Sequence, residues 1–290
     1  MVMDEQILEC PVCQGKSALI HIGTRDDSSI DVYRCSDCGT KFLNAVNSDN
    51  DYENGYMYQK NRLSDLDIEK RLQMFQKDDI RRFEMVGKLC AGKSVLDFGC
   101  GFGGFLKQVA KVTDTCCGVE LGREEREYLG SKGIRCYRTI EELHEKADIM
   151  TLFHTFEHLA EPRIWLDKFS EFIVPGGYLI IEVPHADDIL LSLYESEKFA
   201  DFTYWSAHIF LYTMKSLSML IEENGKFDIV SAGQVQRYTI ANHLLWLAKG
   251  QPGGHEKWDF LDGKELNETY AEKLRQLQMC DTLFYVLRRK

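Results

Sequence analysis

KSVLDFGCGFGG, residues 93–104, decides how the rest of the chain is read. Ser94, Val95 and Leu96 suit a buried strand. Asp97-Phe98-Gly99-Cys100-Gly101-Phe102-Gly103 then places glycine at every second position before the helical stretch FLKQVAKV. Glycine has no Cβ, so a turn built this way lets the backbone come close to a ligand. The next apolar run, TCCGVE, ends on Glu120, an acid placed to accept from both hydroxyls of a ribose, as in nucleotide-binding αβ units. A nucleoside site is the functional reading; a tight strand-to-helix turn that binds nothing uses the same residue types, and the downstream chain decides between them.

Downstream stand ADIMTLFHTFEHL, residues 147–159, and VPGGYLIIEVP, residues 174–184. With D-x-G-x-G-x-G and the acid that ends the following strand, these stretches resemble, motif by motif, the class I S-adenosylmethionine-dependent methyltransferases over about residues 95–230. A nicotinamide site shows G-x-G-x-x-G, where a helix start holds a pyrophosphate; the spacing here is G-x-G-x-G. The resemblance implies an α/β fold with a doubly wound, seven-stranded, mostly parallel sheet. It implies S-adenosyl-L-methionine as cofactor, with Asp97, Gly99, Cys100, Gly101, Phe102 and Gly103 facing the methionyl part and Glu120 on the ribose. Thr139 and Ile140 fall in the region of the adenine contact, and Leu121, Phe153 and His154 complete the expected cofactor set.

At roughly 150 residues per domain, 290 residues allow one large domain with attachments or two ordinary ones. Hydrophobic content of 44% and aromatic content of 11% are globular values. No apolar run approaches the ~20 residues of a membrane span, and MVMDEQILECP lacks a basic and apolar signal architecture. A cytoplasmic location with no membrane span is expected. The net charge of −11 argues against nucleic acid as a partner, because such binding draws on Lys and Arg neutralising phosphates.

Cys10-x-x-Cys13 and Cys35-x-x-Cys38 have the spacing of a four-thiolate zinc ribbon. ALIHIGT and IDVYRC read as short strands of a hairpin turned by DDSS. So short a segment lacks the core to fold alone, so a structural Zn2+ held by Cys10, Cys13, Cys35 and Cys38 would supply the folding energy. The other six cysteines, Cys90, Cys100, Cys116, Cys117, Cys136 and Cys280, read as buried thiols of a reducing compartment. Residues 1–50 carry eight acids against four basic side chains, a surface that repels RNA.

The expected organisation is a zinc-ribbon module at 1–45, a linker and helix at 46–92, and a catalytic domain at 93–290 with an insertion at about 232–281. Ser64 and Asp67 mark a helix start, and Leu66, Leu72, Phe75, Phe83, Val86 and Leu89 form its apolar stripe. Ile164, Trp165, Phe169 and Ile173 are expected to face inward from a helix opened by Glu161-Pro162. His154, Glu157 and His158 invite a metal reading, yet HTFEH is not HExxH, and a local hydrogen-bonding role is preferred.

His208-Ile209-Phe210-Leu211-Tyr212-Thr213 resembles the H-x-x-x-[YF]-[ST] element of sugar and small-molecule methyltransferases, in which the histidine is the proposed base. In the sugar C-methyltransferases a glutamate precedes it; Ala207 stands there in this chain, which sets O- or N-transfer ahead of C-transfer. His208, His154 and Tyr56 are therefore the catalytic candidates. Tyr58, with Arg237, Tyr238, Asn242 and His243 of the insertion, are the substrate candidates, because aromatics with amide, guanidinium and imidazole groups suit a hydroxyl-rich ligand. A cap or homodimer surface uses the same residue types. The favoured function is methyl transfer to a small molecule, a nucleotide- or lipid-linked sugar. The alternatives are an RNA base methyltransferase gripping RNA with its ribbon and a catalytically silent cofactor-binding partner subunit.

Overall fold

The structure, a computed structural model, describes residues 8–45 and 63–290. Twelve strands form among them: β1 Leu8–Glu9, β2 Lys16–His21, β3 Val32–Cys35, β4 Lys41–Leu43, β5 Ser94–Phe98, β6 Thr115–Val119, β7 Cys136–Tyr137, β8 Ala147–Phe153, β9 Ile173–Pro184, β10 Phe210–Leu211, β11 Phe227–Val235 and β12 Thr282–Arg289. Seven make one sheet in the order β11-β12-β9-β8-β5-β6-β7. All its pairings are parallel except those of β12, which runs antiparallel to both neighbours. This is the α/β architecture expected.

Alternation along the strands sorts their side chains onto two covered faces. Leu96, Phe98, Met150 and Leu152 join Leu166, Phe169, Leu217 and Leu220, which come from the helices Pro162–Phe172 and Met214–Asn224. Val95, Ile149 and Phe153 join Val86, Cys90, Phe105, Leu106 and Leu129 on the other face. Those are supplied by the long helix Asp65–Cys90 and the helices Gly104–Val109 and Arg123–Ser131. Each fully buried Leu or Ile here is worth about 1.5–3 kcal/mol.

Several local expectations are corrected. Ile164 is 57% exposed, and Leu166 takes the inward position. Leu66 and Phe75 are exposed as well; the long helix's members of the core under the sheet, Val86 and Cys90 with Phe83 and Leu89, all lie in its second half. Its start is the reciprocal capping box of Ser64 and Asp67. Strand β11 runs to Val235, into the stretch expected as the start of the insertion, since it keeps pairing with β12 as far as Val235 opposite Thr282. His154 and His158 do not share a helix face: Phe156–His158 is one 3-10 turn, and His154 sits before it at φ 53.

The amino-terminal strands form a second, antiparallel sheet in the order β1-β2-β3-β4-β10. Its last member comes from the far end of the chain, with Phe210 opposite Phe42 and Leu211 opposite Lys41. Thr213 Oγ1 donates to the Cys38 carbonyl at 2.7 Å just beyond it. The module is thereby sewn into the larger sheet's surroundings. No helix among the described residues is long and apolar enough to cross a membrane.

Candidate active site

The glycine turn leaves β5 at its carboxyl end, where open α/β sheets bind ligands. Gly99 is roofed by Thr155: a Cβ there would collide with Thr155 Oγ1. Gly101, at φ 52, has no atom of the other described residues, its chain neighbours apart, within 4 Å of the place a Cβ would fill. Its N–H donates to Glu120 Oε2 at 2.9 Å, and the Gly122 N–H donates to Oε1 at 2.9 Å. The carboxylate is thus fixed between two loops, with acceptor capacity left for a ligand's hydroxyls.

Cys100 and Phe102 point the other way, into the core. Cys100 Sγ lies 3.7 Å from Cys136 Sγ, and the Phe102 ring meets Tyr128 edge-on at 5.6 Å. Leu121 is partly exposed beside Glu120, and Thr139 is half-buried. The side chain of Ile140 is wholly in the core, which leaves only its backbone for a ligand. Asp97 is buried and accepts from Thr151 Oγ1 at 2.6 Å; burial pushes its carboxyl up to about 7.

Beside the turn, across the ends of β8 and β9, lies a buried cluster of charge. Glu182 accepts from Arg81 Nη1 at 2.9 Å and Nη2 at 3.0 Å, and from Arg82 Nη2 at 2.7 Å. Burial opposes its ionisation, but the guanidinium groups of Arg82 and Arg81 outweigh that and hold its carboxyl well below the ordinary range. Arg237, beyond β11, reaches across to Asp78 with Nε and Nη2. Burial works against the Asp78 charge too, and the guanidinium of Arg237, with Arg82 and Arg81, overrides it. The Arg82 guanidinium lies 4.7 Å from the centre of the Phe153 ring.

Arg237 Nη1 also stands 2.8 Å from His154 Nε2. A guanidinium only donates, so Nε2 accepts, and Nδ1–H must donate to Glu157 Oε1 at 3.2 Å. Glu182 Oε1, 3.3 Å from the same Nε2, is then a close approach and not a hydrogen bond. The strained left-handed backbone of His154 holds the ring at this crossing.

His208 is placed differently. It lies in the segment that leads to β10, its ring 5.1 Å from that of His158 and 5.2 Å from that of Trp205. Burial, reinforced by His158, pushes its imidazole down to about 3, which makes it a weak base. Tyr56 and Tyr58 lie outside the described residues.

In the insertion, Asn242 Oδ1 accepts from the Gly253 and Gly254 N–H groups, both at 3.1 Å. His243 is spent between Tyr270 Oη at 2.8 Å and Gln236 Nε2 at 3.2 Å, and burial lowers it to about 4. Both serve the insertion's own packing. Tyr238 is largely exposed, and Arg237 alone of this group reaches the charge cluster. Sequence reasoning missed Asp78, Asp79, Arg81 and Arg82. The signal was Asp79, Arg82 and Val86 at i, i+3 and i+7, charges set on the apolar face of a helix.

The four cysteines converge away from this cluster, their sulfurs all within 4.8 Å of one another. Cys10 Sγ to Cys38 Sγ is 3.7 Å, and Cys13 Sγ to Cys35 Sγ is 3.4 Å. A tetrahedron with ~2.3 Å metal–sulfur bonds has an edge of about 3.8 Å. The Asp37 and Cys38 N–H groups aim at Cys35 Sγ from 3.4 and 3.5 Å. The donor set and spacing fit a metal ion.

Residues 67–232, more than half of the chain, match the methyltransferase domain family, and the chain belongs to that family. Over 99 residues it is 31% identical to the ubiquinone biosynthesis O-methyltransferase of Vibrio parahaemolyticus, an overlap of 30% of this chain and 42% of that one. It is 26% identical over 99 residues, with the same coverage, to the protein of that name from a Shewanella species. The match thus spans less than half the length of these curated relatives. A chain from the solved complex of a Haloferax volcanii methyltransferase activator superposes with a TM-score of 0.53 at 12% identity, covering 76% of this chain and 94% of that one, a likeness of fold.

Proposed function

We propose that the protein transfers the methyl group of S-adenosylmethionine to an oxygen or nitrogen of a small molecule. The observation that carries this is the space left open over Gly101 among the described residues, with Glu120 pinned beside it. A nucleoside's ribose hydroxyls meet the remaining acceptor sites of Glu120, and Leu121 offers an apolar surface to the base. The cofactor supplies an electrophilic methyl on a sulfonium; the acceptor attacks the carbon, the carbon–sulfur pair stays on sulfur, and the acceptor's proton leaves. The chain's part is to align, exclude water and take that proton.

His154 is the residue we assign to the proton. Glu157 holds Nδ1–H, which makes Nε2 the basic atom, the arrangement by which a carboxylate orients a catalytic imidazole. Arg237 covers Nε2 in this structure, and binding of the acceptor displaces it. Structural zinc is the metal that four thiolates suit. A nucleotide- or lipid-linked sugar remains the acceptor class to test first, on the likeness of the His208–Thr213 element to sugar and small-molecule methyltransferases; the acidic residues 1–50 disfavour RNA.

Calorimetry with S-adenosylhomocysteine tests the cofactor site, and absence of heat overturns it. Incubation with cofactor and a panel of nucleotide sugars and cell-envelope precursors, read by the mass gain of a methyl group, tests the acceptor. His154→Gln is expected to lose turnover and keep cofactor affinity; undiminished turnover removes His154 from the role.

A further inference from the structure

We propose that Cys100 and Cys136 are a modification site, at which a hydroperoxide joins the two sulfurs in a disulfide, and that this bond loosens the grip on the nucleoside ligand. The sulfurs stand 3.7 Å apart. Cys100 belongs to the turn after β5 and Cys136 opens β7, on opposite sides of β6. They meet over Gly118, the β6 residue opposite Cys136. A Cβ on Gly118 would collide with Cys100 Sγ and stand 3.3 Å from Cys136 Sγ, so the missing side chain is what lets the pair form. Among the described residues no third His, Cys, Asp or Glu ligand atom lies within 4.8 Å of both sulfurs. A four-coordinate ion has nothing there to complete it, whereas a bond between sulfurs needs only the two.

Both cysteines are tied to Glu120. Gly101, the residue after Cys100, donates its N–H to Glu120 Oε2 at 2.9 Å. Tyr137, the residue after Cys136, accepts at its carbonyl from the Glu120 N–H, also at 2.9 Å. Each cysteine is thus one residue from a hydrogen bond to the acid assigned to the ribose. The Cys100 carbonyl also accepts from the Gly103 N–H at 2.9 Å, inside the glycine turn. Drawing the sulfurs to bonding distance shifts the turn relative to β7, and Glu120 is held by both.

Cys136 is half-buried and Cys100 is buried. The Cys136 sulfur, reinforced by burial, pushes the Cys100 thiol well up, so Cys100 keeps its proton and Cys136 reacts first. The Cys136 thiolate attacks one oxygen of the hydroperoxide; the O–O bond breaks, the other oxygen leaves as water or an alcohol, and Cys136 becomes a sulfenic acid. The Cys100 sulfur then attacks the Cys136 sulfur, the S–O bond breaks, and the hydroxide leaves as water with the Cys100 proton. Two thiols lose two electrons together and one peroxide gains them. In a reducing compartment such a bond is transient and redox-sensing.

The effect on ligand affinity rests on the cofactor reading given above; the bond and the shift of the turn do not. Purified full-length protein is treated with hydrogen peroxide, blocked with iodoacetamide and digested without reductant, and its peptides are mapped by mass spectrometry. A Cys100–Cys136 cross-link that dithiothreitol removes is expected. In the oxidised protein the Gly101 and Gly103 amides exchange faster and S-adenosylhomocysteine binds more weakly, each by about tenfold or more, and both reverse on reduction. By linkage, saturating ligand raises the midpoint potential of the pair by about 30 mV for each tenfold. Cys136→Ser and Cys136→Ala, each checked for native circular dichroism, keep the affinity of reduced wild type and lose the response to peroxide, which separates this pair from the other cysteines. Absence of the cross-link in wild type overturns the site, whichever other cysteines pair. A cross-link that leaves amide exchange in the turn unchanged overturns its effect. If the reduced protein gives no heat with S-adenosylhomocysteine, the cofactor reading falls, and the peptide map and the amide exchange still decide for or against the pair.

Discussion

Arg237 donates from Nη1 to His154 Nε2 at 2.8 Å while its Nε and Nη2 grip Asp78. A residue beyond β11 and one from the long helix therefore meet over the end of β8. Removing one partner of a buried charge pair leaves the other uncompensated, at a cost of about 3–5 kcal/mol. Arg237→Met is expected to lower stability to urea by that order. Arg237→Lys does not restore it, because an ammonium cannot make the forked contact. Asp78→Asn combined with Arg237→Met loses less than the two singles added together, and strict additivity in that cycle would show that the pair is not coupled.

Glu120 is the second point of test. A charged hydrogen bond is worth about 1.5–3 kcal/mol, so losing even one of the two in Glu120→Ala should weaken S-adenosylhomocysteine by at least about 10-fold in calorimetry. The same variant frees the Gly101 and Gly122 N–H groups, so the glycine turn should also exchange its amides faster. Unaltered affinity would show that the carboxylate does not touch the ligand.

Removing the metal proposed for the cysteines should be felt far along the chain. Cys13→Ser, or a strong chelator, frees the loop whose Cys38 carbonyl accepts from Thr213 and whose next strand pairs with Phe210 and Leu211. Hydrogen exchange at those two residues should rise along with that of β3 and β4, as metal binding supplies the folding energy of such modules. Protection unchanged at β10 after metal loss would show that the two regions are held independently.

Asp188 gives a pH dependence with a definite sign. Burial, with Asp281 nearby, pushes its carboxyl up to about 8. An unfolded Asp titrates near about 4. The folded state therefore binds more protons between the two values, and stability is fully present below about pH 4 and falls as pH rises through about 8. Asp97 and Glu125, each raised by burial to about 7, act in the same direction. Asp188→Asn keeps the acceptor for the Leu190 N–H and should flatten the decline in melting temperature between pH 5 and 8 by a few degrees. A slope as steep as that of wild type would show that Asp188 does not titrate there.

The glycine turn, Glu120, the paired C-x-x-C knuckles and the Ser64 helix cap were legible because each depends on residues close together in sequence. What escaped depends on partners far away. Strand β10 is two residues long, too short for any periodicity, and exists only because β4 lies beside it. Asp79 and Arg82 read as solvent charge until Glu182, a hundred residues on, supplies the counter-charge. Asn242 and His243 have the chemistry of sugar-binding groups, but Gly253, Gly254, Tyr270 and Gln236 claim their hydrogen bonds first. Ile164 follows the helical period and is exposed because its helix rotates Leu166 onto the sheet.

Since Phe210 and Leu211 complete a sheet begun two hundred residues earlier, the first 45 residues are not a detachable tag. A chimera cut at that boundary would strip one edge from the stretch that carries His208 and expose two apolar side chains. Any successful exchange of the amino-terminal part between relatives has to bring its own version of residues 204–213 with it.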